Sequence, residues 1–167
     1  MPIDAVHHAD PESLRLAMRH WVAGVTVVTS FFEGIQHGMT VSSFTSISLI
    51  PPMILVSLAQ GTRTHWLIMN SKVFAVTILD ADQVWISNRF AGRTDQEDDR
   101  FEGVETETLV SGSPFIRGGL AYFDCRVVNH VEAGTSTVFF AEVITARSRY
   151  PGDPLAYANQ TYFTLQK

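Results

Sequence analysis

Apolar positions near the start of the chain recur at helical spacing, with Leu14, Ala17, Met18 and Trp21 on one stripe. Asp10-Pro11 precedes them, an acid able to accept from free backbone N–H groups and a proline suited to a first turn, so a short helix is predicted from there to about Trp21. From Val22 the pattern changes to β-branched runs broken by Gly and Pro, which predicts strands over 22–32, 38–49, 53–59 and 73–79. Trp66, Leu67 and Met69 within 62–70, and Val84, Trp85 and Ile86 within 82–90, predict two further short helices. Beyond them 119–131, 137–147 and 162–166 read as strands, with shorter extended pieces at 104–110 and 155–157. The stretch 92–100, holding Asp95, Glu97, Asp98 and Asp99, is polar and reads as a solvated loop or helix start.

Many short strands around few helices, with no alternating βαβ rhythm, predict a mainly β fold and favour a closed antiparallel barrel over a doubly wound sheet. No repeat, low-complexity tract or linker interrupts the 167 residues, and 46% apolar composition suffices for one core, so a single domain over 1–167 is expected, with roughly the first nine residues flexible. Net charge is −5 and no Lys/Arg run occurs, which argues against a nucleic-acid partner. The longest apolar stretch, 47–59, is broken by Ser48, Pro51-Pro52 and Ser57 and is too short for a membrane helix. The N-terminus carries acids and histidines rather than the pattern of a secretory leader, and the single Cys125 has no disulfide partner, so a cytoplasmic location is expected.

Candidate chemistry concentrates in Gly38–Ser48, where hydroxyls stand at positions 40, 42, 43, 45, 46 and 48. On one continuous strand Thr40 and Ser42 share a face and Ser43 and Thr45 the other, which a fully buried strand tolerates poorly. Hydroxyls beside free backbone N–H groups suit a phosphate or the polar edge of an isoalloxazine ring. An ordinary Ser/Thr-rich edge strand facing water has the same composition. Further on, Leu58–His65 joins a strand to a predicted helix, where free N–H groups meet anions and where Arg63 and His65 add charge; a helix cap with a surface arginine is the bland alternative. The six histidines are scattered, with no pair at three- or four-residue spacing, so no metal site is signalled. Cys125 lies on the apolar face of an alternating strand with Ala121, Phe123 and Val127, a core position rather than a nucleophile.

In order and spacing, Gly24-Val25-Thr26-Val27-Val28-Thr29, His37-Gly38-Met39-Thr40-Val41-Ser42-Ser43-Phe44, Pro51-Pro52, Phe74-Ala75-Val76 and Arg100-Phe101 resemble the flavin reductase-like family. Arg89-Phe90-Ala91-Gly92, Gly119-Leu120-Ala121 and Phe140-Ala141-Glu142-Val143 extend the similarity from about Arg19 to Phe163. The resemblance implies an FMN-binding split β-barrel, a homodimer, supplying reduced flavin to a two-component monooxygenase. It implies that Thr40, Val41, Ser42, Ser43 and Phe44 border the flavin ring and ribityl chain, that Ala59, Gln60, Thr64 and His65 approach the phosphate, that Phe90 and Ala91 add a flavin contact, and that Arg100 partners the phosphate. The family carries a histidine that seats the nicotinamide in a Gly-x-His-x-hydrophobic-Phe stretch; this chain reads Gly134-Thr135-Ser136-Thr137-Val138-Phe139, with Ser136 in its place. A hydroxyl donates one hydrogen bond but cannot become cationic. Tyr157 and Tyr162 fall in the family's C-terminal nicotinamide region.

The implied reaction is hydride transfer from NADH or NADPH to FMN or FAD, for which the cofactors supply the chemistry and no catalytic side chain is needed. Two other readings stay open: a bound flavin that reduces a metal complex, and a flavin-binding module without useful turnover.

Overall fold

The computed structural model describes residues 8–94, 99–149 and 151–165. In chain order the elements are α1 (Pro11–Met18), β1 (Ala23–Gly24), β2 (Thr26–Phe32), β3 (Ile35–Val41), β4 (Phe44–Leu49), β5 (Pro52–Ala59), α2 (Arg63–Ser71), β6 (Val73–Ile78), α3 (Val84–Phe90), β7 (Thr106–Thr108), β8 (Pro114–Ile116), β9 (Ala121–Ala133), β10 (Ser136–Ser148), β11 (Leu155–Ala158) and β12 (Thr161–Thr164). The flexibility expected of the first residues falls mostly on 1–7, and parts of the polar stretch (95–98) and of the last strand (166) also lie outside the described residues.

Seven strands form one antiparallel sheet in the order β3-β2-β6-β9-β10-β5-β4. Its two edge strands, β3 and β4, are consecutive in the chain and joined only by Ser42–Ser43. Three Cα steps span at most about 11 Å, so the sheet curls until its edges nearly meet. No ladder bridges them, so the barrel is split along one seam, as the resemblance implied, rather than closed as the strand pattern alone favoured. Residues 38–49, expected as a single strand, are therefore two, with the break at the centre of the hydroxyl-rich segment. The run 22–32 is likewise divided: Val25 donates to the Leu155 carbonyl and accepts from Leu79 N–H, carrying the chain from the small β1-β11-β12 sheet into the barrel.

Both faces of β2 are covered, which is why it reads as an unbroken apolar run. Val28 points into the barrel core with Val41, Ile54, Val56, Leu58, Phe74, Cys125 and Phe139, while Val27 points into a second cluster with Ile86, Phe90, Ile116 and Leu155. The β5 alternation, Ile54, Val56 and Leu58 in and their neighbours out, is the half-buried pattern of an antiparallel strand. Cys125 is fully buried, and burial followed by the adjacent Asp124 charge pushes its thiol up, so it is an inert core residue.

α2 begins where Thr62 accepts from His65 N–H and ends at Lys72 in the left-handed region, whose N–H bonds the Ile68 carbonyl. It lies on β2 and β3 and sends Leu67 and Ile68 inward. α3 lies on the opposite face and buries Ile86, Ser87 and Phe90. α1 is capped by Asp10 as expected but ends at Met18, short of Trp21, and none of its residues is buried; Leu14 and Met18 are 58% and 54% exposed, and Trp21 beyond the helix is 69% exposed.

Candidate functional site

β3 is an edge strand with a helix on each face, and the site follows from that. Its residues alternate between the two helices. His37 Nδ1 lies 2.8 Å from Thr64 Oγ1, and Met39 meets Thr62, both on the α2 side. Gly38 sits beneath the Phe90 ring, and Thr40 Oγ1 donates to the Ser87 carbonyl at 2.7 Å, both on the α3 side. The free long edge of β3 runs between them. Arg100 Nη1 donates to the Gly38 carbonyl at 2.9 Å and to the Phe90 carbonyl at 2.8 Å, so Gly38 turns its backbone polar groups outward, and two-residue alternation turns those of Thr40 outward as well.

Two clefts lie along this edge and share Thr40 and Ala91. The larger, about 490 Å³, is lined by His37, Met39, Thr40, Thr62, Arg63, Thr64, Phe90, Ala91 and Arg100. The smaller, about 150 Å³, continues past the seam to Val41, Ser42, Ser87, Arg93, Tyr157 and Tyr162. Here Tyr162 OH donates to Asn88 Oδ1 at 2.9 Å, which spends its one proton, so Ser87 Oγ donates to Tyr162 at 2.9 Å. Arg93 lies 5.7 Å over the Tyr157 ring and donates to its hydroxyl at 3.2 Å. Ser42 is exposed, and its hydroxyl has no protein partner among the described residues.

One end of the groove is cationic. Burial, then the charges of Arg100 and Arg63, push His37 down to about 4, so it is neutral at pH 7. An unfolded histidine titrates near 6.5, so the unfolded chain binds this proton first. The stability that neutral His37 supplies is therefore full above about pH 6.5 and lost as pH falls through about 4, on the order of 1–2 kcal/mol once its partial exposure is discounted. Urea denaturation between about pH 7.5 and 4.5 should show this slope, and His37→Gln should flatten it; an unchanged slope would show that His37 is not its source.

The candidate residues read from the sequence fall into distinct places. Thr40, Val41, Ser42, Ala91, Tyr157 and Tyr162 meet in the smaller cleft, and Thr40, Thr64, Phe90, Ala91 and Arg100 in the larger. Ser43 and Phe44 line neither: the Ser43 hydroxyl bonds the Ser57 carbonyl, and Phe44 packs in the barrel core with ring centroids 5.5 Å from Phe123. Ala59, Gln60, His65 and Ser136 gather instead at the tip of the β9–β10 hairpin. There Ser136 pairs with Ala59, Gln60 N–H donates to the Thr135 carbonyl at 3.0 Å, and His65 Nε2 lies 2.9 Å from Thr137 Oγ1. Burial, then the neighbouring His130, lowers the His65 pKa. Thr64 and His65 part company because successive helical residues are turned about 100° from one another. Ser87, Asn88 and Arg93 were not singled out from the sequence; a serine on the buried face of α3, one turn before Phe90, was the available signal.

An unpaired strand edge, hydroxyls along it, aromatic walls at one end and two arginines at the other suit a flat aromatic ligand that carries a phosphate. Residues 18–166 match the Flavin reductase like domain family, and the chain belongs to it. It is 37% identical over 148 residues to the reductase component of a 4-nitrophenol 4-monooxygenase/4-nitrocatechol 2-monooxygenase of Rhodococcus opacus, covering 89% of this chain and 77% of that protein. It is 38% identical over 152 residues to the FMN reductase (NADH) SmoA of Agrobacterium fabrum, covering 90% and 83%. The NADH:FAD oxidoreductase SgcE6 of Streptomyces globisporus, solved in complex with NAD and FAD fragments, superposes with a TM-score of 0.87 at 31% identity, over 96% of this chain and 98% of that one.

Proposed function

We propose that this chain is an NADH-dependent flavin reductase that binds FMN or FAD along the open edge of β3 and delivers reduced flavin to a partner monooxygenase. The observation that carries the site assignment is the sharing of Thr40 and Ala91 by the two clefts, which makes one groove with a cationic end and an aromatic end. Flavin, when bound, supplies the hydride-accepting chemistry. The protein binds and orients: outward-facing backbone groups of β3 and the free Ser42 hydroxyl meet the ring edge, Phe90 and Ala91 form the floor, and Arg100 with Arg63 holds the phosphate. Arg100 suits this task because its two bonds to β3 and α3 carbonyls fix the guanidinium before a ligand arrives. Tyr157 and Tyr162, with ring centroids 5.1 Å apart, wall the end where the nicotinamide enters. Ser136 lines neither cleft, so its hydroxyl takes no part in this placement of the donor.

The protein works as a single-domain homodimer in the cytoplasm, where a nicotinamide pool is at hand. The exposed Leu14 and Met18 of α1, with Trp21 just beyond it, support the dimer, since an apolar surface of this kind gains stability when covered. No helix among the described residues is long and apolar enough to cross a membrane.

The test is anaerobic stopped-flow absorbance with equimolar FMN or FAD, mixed with NADH and separately with NADPH. Bleaching of oxidised flavin with NADH, faster than in the protein-free control, is expected. Flavin binding without bleaching by either donor would leave a binding module in place of a reductase.

A further inference from the structure

A buried hydroxyl holds the ring of His37 at the cationic end of the groove. Thr64, the second residue of α2, is fully buried, and its only side-chain bond among the described residues is the 2.8 Å contact with His37 Nδ1. His37 is half-buried where it lines the larger cleft, and its other ring nitrogen, Nε2, has no partner among the described residues. Three charged side chains act on the ring: Arg63 from α2, and Arg100 and Asp99 from the loop after α3. Burial and the two arginines keep it neutral at pH 7, so it carries one N–H, on either Nδ1 or Nε2. Counting protons decides between the two. Were Nδ1 protonated, it would donate to Thr64 Oγ1, and the single proton of a fully buried hydroxyl would be left without an acceptor, a desolvation cost with nothing to offset it. With the proton on Nε2, Thr64 donates to Nδ1 and spends its proton inside the fold. The Nε2–H is then left for the cleft.

We propose that Thr64 holds His37 in the Nε2–H form and that His37 is thereby an uncharged donor to the flavin phosphate, beside Arg100 and Arg63; this rests on the phosphate lying at that end of the groove. The resemblance implied Thr64 at the phosphate itself, whereas here it acts through His37, as a positioning residue. An uncharged donor suits the place. Two guanidiniums already supply the charge, and a third cation beside them would be repelled before any ligand arrived. A fixed N–H adds direction without that cost. The donor is also ordered in advance, because Thr64 lies in the first turn of α2, where Thr62 accepts from His65 N–H. His37 thus joins the groups that distinguish a phosphorylated flavin from riboflavin.

Imidazole nitrogen–proton correlation spectra of the full chain, labelled at histidine with ¹⁵N, test this without ligand, with FMN and with riboflavin. Without ligand His37 should show a protonated Nε2 and a bare Nδ1. FMN should shift Nε2, and riboflavin should leave it in place. Thr64→Val, which keeps the shape and removes the hydroxyl, should release the ring to a mixture of tautomers and weaken FMN binding about threefold by fluorescence titration, with riboflavin unaffected. Thr64→Ser should restore both. His37→Phe, which keeps a ring and removes both nitrogens, should weaken FMN about tenfold, by the same factor at pH 8 as at about pH 6.5 because the lost donor is uncharged. A factor that grows as pH falls would overturn the proposal in favour of a cationic histidine. A protonated Nδ1 in the free chain would overturn it too, as would an Nε2 unmoved by FMN while Arg100→Met weakens FMN binding. Indifference of FMN to both His37 and Arg100 would overturn the placement of the phosphate, and the proposal with it.

Discussion

Arg100→Met should weaken FMN binding about 10- to 100-fold while leaving riboflavin, which lacks the phosphate, nearly unaffected. Hydrogen bonds to charged groups are worth about 1.5–3 kcal/mol, which sets that range. The guanidinium spends Nη1 on the Gly38 and Phe90 carbonyls, which leaves Nε and Nη2 as further donors of a residue that lines the groove. Methionine keeps much of the stem's volume and removes every donor. Arg100→Lys should recover only part of the affinity, because three donors on one nitrogen lack the planar fork that reaches two carbonyls on one side and a phosphate on the other. Equal losses for FMN and riboflavin, by fluorescence titration, would mean that Arg100 shapes the groove rather than holding a phosphate.

Gly38→Ala should destabilise the fold by about 1–3 kcal/mol, the usual cost of forcing atoms into a packed interior. A Cβ at Gly38 would stand 2.8 Å from Thr29 Cγ2 and 2.9 Å from the Phe90 ring. Neither neighbour can yield cheaply: both are fully buried, Thr29 is tied by its hydroxyl to the Pro114 carbonyl, and Phe90 packs edge-on against Phe101 at 5.1 Å. Thermal unfolding should fall by roughly 2–4 °C per kcal/mol in a chain of this size. Flavin affinity should fall too, since displacing Phe90 moves both the groove floor and an Arg100 acceptor. A variant as stable as the parent would show that β3 and α3 are less closely apposed than this packing requires.

Much of the β architecture was legible because the two buried faces leave a plain signature. β2 is apolar on both sides, β5 alternates cleanly, and α2 announces its start with Thr62. The break at Ser42–Ser43 was not legible, since hydroxyl residues suit a strand edge and a link between strands equally well. It became visible only once β3 and β4 were seen as opposite edges of one sheet. For the same reason alternation across 40–45 predicted faces that do not exist. Thr40, Ala91 and Arg100 lie on three different segments, and what unites them is the packing of α3 and the 99–101 loop on β3, a long-range relation that local pattern does not encode. His65 shows the converse: adjacent in sequence to Thr64, it is carried by helical phase to another part of the molecule.

A crystal structure of the chain with FMN tests the place of the flavin most directly. The ring should lie against Thr40, Ser42 and Ala91 along the β3 edge, with the phosphate within hydrogen-bond distance of Arg100 and Arg63. Flavin bound instead at the β9–β10 hairpin, among Gln60, His65 and Ser136, would contradict it.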